Sequence, residues 1–370
     1  MLLLLTAIPF ALSSTDVLFV GNSYTQNNDL PGAVRRVFEA ADQEANTQKV
    51  SSGGLTLADH AARAADPSSD WFRTLVTEAD ARQWVVLQDQ SQVPGFPETE
   101  AMWIASRDGA VALDSLVRTA DAETVFFLTW GRRSGDPMNE WLYPDFSTMQ
   151  ARLTDGYIAF SDATATAERP TWIAPVGPAF QAIHDDVVDL GLEPSEPGNA
   201  FYRLYSGDGS HPSATGTQLA AYVFYASLTG RTPIGLSAPD GIEAADALML
   251  QEAADRVVFD RTDAFSFPWE STAEDSNTDP TDDTAAPATD SPDPVDSGQP
   301  ASDTAIPDDS DEQDPEADPD SDDGTQGMVD DAAQPNGGTK SGCTTVGAPA
   351  GLAVILTSIL GLFRRRIRTR

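Results

Sequence analysis

A chain of 370 residues with a formal charge of −36 is long enough for one sizeable core plus appendages. Its excess of acid excludes nucleic acid as a natural partner, because a polyanion would be repelled over most of the surface. The single cysteine, Cys343, rules out an internal disulfide, and neither HExxH nor a paired Cys/His spacing is present to hold zinc, so no metal or other cofactor is expected.

Residues 1–13 are almost wholly apolar and end in Ala11-Leu12-Ser13, small residues of the kind a signal peptidase requires. They predict export, with a buried first strand as the competing reading. A continuous apolar strand follows at Asp16–Val20, as expected where both faces of a sheet are covered. It runs into Gly21-Asn22-Ser23. Next comes a helix, with Asp29 placed to cap it, Pro31 in its first turn, and Leu30, Val34, Val37, Phe38 and Ala41 on one face.

Gly53-Gly54 follows the second element, and further strands are predicted at Trp84–Leu87, Thr124–Thr129 and Thr171–Pro175. The segments between them are long enough to carry crossover helices. One such helix is predicted at Ala101–Ala120, with Ile104, Ala112, Leu113, Leu116 and Val117 facing inward. Another runs from Ser213 to Leu228 and is stopped by Gly230. This alternation predicts one α/β domain over residues 15–263, a parallel sheet with helices on both faces. In such folds ligands sit at the carboxyl ends of the strands. The residues there are Gly21-Asn22-Ser23, Gln88-Asp89-Gln90-Ser91, Trp130-Gly131-Arg132-Arg133 and Val176-Gly177-Pro178.

Residues 271–342 hold 21 acidic residues, one Lys and scarcely a large apolar side chain, so this segment cannot offset the entropy of ordering and reads as a disordered linker. Within it, Asp318-Pro319-Asp320-Ser321-Asp322-Asp323-Gly324 has alternate carboxylates but lacks the Gly and Glu positions of an EF-hand loop. Residues 343–370 begin with Cys343, continue through 20 uncharged residues, Thr344 to Phe363, and end in five Arg. Twenty residues make about 30 Å of helix, enough to cross a bilayer. The Arg cluster would lie on the cytoplasmic side and the rest of the protein outside. Gly342-Cys343, the apolar span and the Arg cluster together resemble myxobacterial surface-sorting tails, with a plain tail anchor as the alternative.

Ser23 after the first strand, the glycine pair Gly53-Gly54, a polar amide after the third strand, and Asp208-Gly209-Ser210-His211 late in the domain together resemble the SGNH (GDSL-like) hydrolase superfamily. The resemblance covers residues 15–263. It implies a flavodoxin-like α/β architecture and a serine esterase with Ser23 as nucleophile, His211 as base and Asp208 as the residue orienting that base. A serine hydroxyl is too weakly acidic to attack an ester unaided, so the histidine has a defined task. Gly53 or Gly54 would supply an oxyanion amide. Gln90 stands where the family has Asn, and Gln88 is an alternative for the same donor. Asn22, where the commoner motif has Asp, reads as a mild change. His60 and His184 read as surface or packing residues.

The substrate expected from the resemblance is an ester, including O-acetylated carbohydrate. Trp130, Arg132, Arg133, Trp141 and Tyr143 lie in one loop that could stack on a sugar or hold an acid group, or simply pack locally. A non-catalytic carbohydrate-binding or adhesion module on the same fold is the competing reading.

Overall fold

The computed structural model describes residues 14–79, 82–260 and 265–270. The expected export signal (1–13), linker (271–342) and C-terminal Cys, span and Arg cluster (343–370) lie outside the described residues. Among the described residues no helix is long and apolar enough to cross a membrane.

Strand β1 (Thr15–Gly21) leads through α1 (Ser23–Gln26) and α2 (Leu30–Ala40) to β2 (Ala45–Ser51). After α3 (Leu57–Ala64) and α4 (Asp70–Phe72) come β3 (Trp84–Leu87), α5 (Ala101–Thr119), β4 (Glu123–Phe127), α6 (Phe146–Thr164) and β5 (Trp172–Ala174). Helices α7 (Val176–Asp189), α8 (Ala200–Arg203), α9 (Ala214–Thr229) and α10 (Ala244–Phe259) follow. The five strands form one sheet in the order β2-β1-β3-β4-β5, and every adjacent pair is parallel. This is the expected α/β class.

From β1 the chain moves to β2 on one side and then returns past β1 to β3. Right-handed crossovers therefore place α2 on one face and α3, α5 and α6 on the other. Helices α7, α9 and α10 complete the α2 face. With both faces covered, Val17, Leu18, Phe19 and Val20 of β1 are fully buried, as are Val85, Val86 and Leu87 of β3. At roughly 1.5–3 kcal/mol for each large apolar side chain, these central strands supply much of the stabilisation. Strand β2 is different. It is a sheet edge, pairs with β1 from Thr15↔Ala45 to Gly21↔Ser51, and leaves Gln48 and Lys49 exposed, as suits an edge that must not recruit another strand.

Helix ends follow the expected chemistry in part. Ser213 caps α9 by accepting from the amides of Thr215 and Gly216, and Gly230 closes it in the left-handed region at φ 65°. Asp29 does not cap α2. It adopts φ 53° and pairs instead with Lys49 of β2 at 2.9 Å. The buried face of α5 is also rotated from the expected one. Trp103, Ser106, Ala110, Leu113 and Val117 point inward, while Ile104 and Ala112 are exposed. The cause is Gly109, where a Cβ would meet the Ala58 backbone nitrogen at 2.6 Å, so α5 rides directly on the start of α3.

Candidate active site

Strands β1 and β3 are neighbours from which the chain departs in opposite directions, and the carboxyl ends at such a switch point are where folds of this class place a ligand. Gly21 closes β1, and a Cβ there would run into the side-chain oxygens of Thr25 and Gln88. The glycine thus lets Gln88 lie across the strand end. Asn22 comes next and is almost fully buried. Its amide donates to Gln88 Oε1 at 2.9 Å, and its Oδ1 accepts from Gln88 Nε2 at 2.8 Å and from the Tyr24 amide at 3.2 Å. Its Nδ2 donates to the carbonyls of Leu55 at 3.0 Å and Asp89 at 3.2 Å. One side chain therefore joins the segments that follow β1, β2 and β3.

Ser23 is the first residue of α1. Its Oγ lies 2.9 Å from His211 Nε2, and His211 Nδ1 lies 2.6 Å from Asp208 Oδ2. A carboxylate only accepts, so Nδ1 carries the hydrogen, and Nε2 is the free acceptor facing the serine hydroxyl. The structure thus brings together three residues up to 188 positions apart in the chain.

The segment holding Asp208 and His211 is a tight loop. Ser206 N donates to His211 O at 2.8 Å, Gly209 turns at φ 71°, and Asp208 Oδ1 accepts from Ser206 Oγ and from the amides of Ser210 and His211. Partial burial pushes the Asp208 pKa up. The hydrogen bonds from the His211 side chain, the Ser210 amide, Ser206 and the His211 amide outweigh it and hold the carboxyl well below the usual carboxylate range. Asp208 is therefore ionised wherever the protein is folded at ordinary pH.

An aromatic stack fixes this loop from behind. Tyr24 lies flat on Trp130 at 4.7 Å, Trp130 lies flat on Phe180 at 4.4 Å, and His211 meets the Tyr24 ring edge-on at 5.5 Å. Tyr24 OH is hydrogen-bonded to Ser210 Oγ at 2.8 Å, and Trp130 Nε1 donates to Ser210 O at 3.0 Å. Arg133 donates its amide to Gly209 O at 2.8 Å and stacks its guanidinium on Tyr202 at 3.9 Å. Tyr24 was not legible as a site residue. Its signal was an aromatic next to the serine at a buried strand-to-helix turn.

The two glutamines proposed for the same donor prove unequal. Gln88 is fully buried, and its Nε2 hydrogens are committed to Asn22 Oδ1 and the Asp89 carbonyl, so it has no donor left for a ligand. Gln88 is accordingly corrected to an internal strut. Gln90 is half-buried, and its Oε1 accepts from the Gln92 amide at 2.8 Å, which leaves Nε2 without a partner among the described residues. Gly53 and Gly54 are exposed and would meet nothing if given a Cβ, and Gly54 turns at φ 71°.

The loop after β4 divides sharply. Trp130 and Tyr143 are fully buried, Arg132 is clamped to Asp136 at 2.7 Å, and Trp141 is 76% exposed. Asn139, two residues before Trp141, donates to Gln92 Oε1 at 2.8 Å, which ties this loop to the Gln90 segment.

His60 is a packing residue. It is buried, with Nε2 donating to Gly21 O at 3.0 Å and Nδ1 accepting from Trp71 Nε1 at 2.9 Å. Burial lowers its pKa to about 4. His184 packs against the rings of Phe146 and Phe201 beside Asp185. Among the described residues no group of three or more His, Cys, Asp or Glu side chains could hold a metal ion.

No protein-family model matches the chain, and no curated protein does. Among solved structures it is similar to a DUF4886 family protein from Bacteroides uniformis at 16% identity, a likeness covering 70% of this chain and 99% of that one with a TM-score of 0.54. A protein from Slackia heliotrinireducens assigned to the SGNH hydrolases is 24% identical over 57% of this chain and 97% of that one, with a TM-score of 0.42. An acetyl xylan esterase is 10% identical over 57% and 98%, with a TM-score of 0.40. At 16% identity the likeness to the DUF4886 family protein shows the fold alone, and in this chain Gly21-Asn22-Ser23 closes the first strand of that parallel sheet with Asp208 and His211 in the late loop beside it.

Proposed function

We propose that the protein is a serine hydrolase of carboxylic esters in which Ser23 attacks the carbonyl, His211 takes its proton and returns it to the leaving alcohol, and Asp208 keeps the imidazole in the tautomer this requires. The observation that carries the reading is the line of contacts from Ser23 Oγ to His211 Nε2 at 2.9 Å and from His211 Nδ1 to Asp208 Oδ2 at 2.6 Å. As the hydroxyl proton moves to Nε2, the imidazolium gains a fixed counter-charge. The oxyanion would be met by the Ser23 amide, by an amide of Gly53 or Gly54, and by Gln90 Nε2. Each lies on a segment joined to the others through Asn22 or Asp89, so the donors need not reorganise during reaction.

For substrate, the reading is an O-acetylated carbohydrate. Support comes from Trp141, a large exposed indole on a loop tethered to the Gln90 segment, beside polar neighbours that a sugar's hydroxyls could use. A location outside the cytoplasm is part of the same reading, supported by the apolar residues 1–13 and by the uncharged run and Arg cluster of residues 343–370.

Labelling with a fluorophosphonate probe tests the chemistry. The wild-type protein should be labelled and Ser23→Ala should not; equal labelling of the two sinks the reading. Acetate release from acetylated xylan, set beside hydrolysis of long-chain esters, tests the substrate. A clear preference for the long-chain esters would remove the carbohydrate assignment.

A further inference from the structure

Asp89 is a fully buried carboxylate to which the triad gives no task. Other buried acids here are paired, Asp114 with Arg118 at 2.6 Å and Asp136 with Arg132 at 2.7 Å. Asp89 has no cation partner among the described residues, and its Oδ2 is buried without any hydrogen bond. A group so placed is costly, and its other contacts show where the cost is spent. Oδ1 alone accepts from the Leu57 amide at 2.9 Å, the Gln90 amide at 2.8 Å and Ser106 Oγ at 3.2 Å. The Asp89 carbonyl accepts from Asn22 and Gln88, and its amide donates to Tyr157 OH at 3.2 Å.

Leu57 opens α3, directly after the loop of Gly53-Gly54, and Gln90 carries the free side-chain amide. Resting on the esterase reading above, we propose that Asp89 is a positioning residue whose ionised Oδ1 clasps the start of α3 to the Gln90 backbone, so that two oxyanion donors stand at fixed places beside Ser23. An ionised oxygen accepting three hydrogen bonds holds its donors more tightly than a neutral one, and it sits at the positive end of α3.

The groups facing it from the packed elements are Asp59 on α3, Ser106 on α5, and Tyr157 on α6, whose phenol is pushed well up by burial. Burial, with Asp59 adding like charge, raises the Asp89 pKa to about 6 despite the three hydrogen bonds. A folded-state value above the ordinary 3.8 means that the fold favours the neutral acid. Its stabilising contribution is full below the ordinary value and is lost as pH rises through about 6. The charge is thus kept at the expense of stability.

Asp89→Asn tests this, because it keeps an oxygen for the donors and removes the charge. At pH 8 the expected result is a fall in kcat of about 10-fold on 4-nitrophenyl acetate with KM changed by less than about twofold. The midpoint of thermal unfolding should rise by about 3 °C or more. Both differences should shrink as pH falls through about 6 and vanish below about 4, and the wild-type to D89N ratio cancels every other titration the two proteins share.

A residue with only a structural role gives lower stability and no pH-dependent ratio. Wild-type kcat in D89N at pH 8, or a loss constant with pH, overturns the proposal. If D89N does not fold, Ser106→Ala removes one donor to Oδ1 and should raise the wild-type to variant ratio of kcat about threefold near pH 6, returning to one at pH 8; identical profiles overturn the clasp. Fluorophosphonate labelling of wild type and Ser23→Ala on the same preparations separates the failures. Absence of Ser23-dependent labelling overturns the esterase reading and the clasp with it, whereas normal labelling with a flat ratio overturns the clasp alone.

Discussion

Asp208 sits in an exposed loop and Asp89 in the core beneath the same serine, and the protein treats the two carboxylates in opposite ways. Both oxygens of Asp208 are used, by the His211 ring, two amides and a hydroxyl, and its carboxyl is held well below the usual range. Asp89 receives three hydrogen bonds against the four at Asp208, yet all go to one oxygen, the other is bare, and its pKa is pushed up to about 6. The difference teaches that donor count alone does not fix a charge. What decides is whether hydrogen bonds outweigh the water that burial removes, and half-exposed Asp208 has lost less of it than Asp89.

The largest effect that sharpens this contrast is on activity. Asp208→Asn keeps the side-chain shape but can offer His211 an amide where it needs an acceptor, so the ring is released from its productive tautomer. A fall in kcat of about 10³–10⁴-fold is expected, with KM little changed. Stability should hardly respond. The lowered folded-state pKa means that the Asp208 contribution is present above the ordinary value of 3.8 and lost as pH falls below it, but its side chain is 49% exposed. After screening, the pair is worth about 1 kcal/mol or less at pH 7. Steady-state kinetics and thermal unfolding at pH 7 check both halves, and a large stability loss with modest kcat loss would reverse the comparison.

Next in size is a stability effect in the buried region. Asn22→Asp exchanges a donor for an acceptor at the point where Nδ2 serves the carbonyls of Leu55 and Asp89. Two hydrogen bonds vanish, and an oxygen is set against two others in a buried site, at a cost of about 3 kcal/mol. Urea denaturation at pH 7 measures it. A change under about 0.5 kcal/mol would mean that the hub does not hold the three segments together.

Asn22 also marks the limit of what the sequence discloses. As a departure from the family's Asp it reads as mild, because the comparison is made one residue at a time. Its importance comes from Gln88, whose amide faces it in a reciprocal pair, and this pairing across 66 residues leaves no local trace. The apolar runs of β1 and β3, by contrast, are legible because burial on both faces forces continuous hydrophobicity. Strand β2, Ala45-Asn46-Thr47-Gln48-Lys49-Val50-Ser51, has no such signature, since an edge strand owes its place to backbone pairing with β1. Ser23, Asp208 and His211 could be named because each lies in a short motif. Asp89 and Tyr24 could not, because their roles depend on partners supplied by α3, α5 and the late loop.

The smallest effect concerns the loop that the Asp89 clasp reaches through Leu57. Gly54 turns at φ 71°, where an L side chain is strained, while Gly53 has ordinary backbone and open space around a would-be Cβ. Gly54→Ala should therefore cost about 1 kcal/mol and Gly53→Ala less than about 0.5 kcal/mol, measured by thermal unfolding at pH 7. Activity discriminates further. If the Gly53 amide meets the oxyanion, a methyl group there intrudes on the substrate and not on the protein, so kcat/KM should fall several-fold in a variant as stable as the wild type. Unchanged kinetics in Gly53→Ala would move the donor to Gly54, whose left-handed turn then serves the ligand as well as the chain.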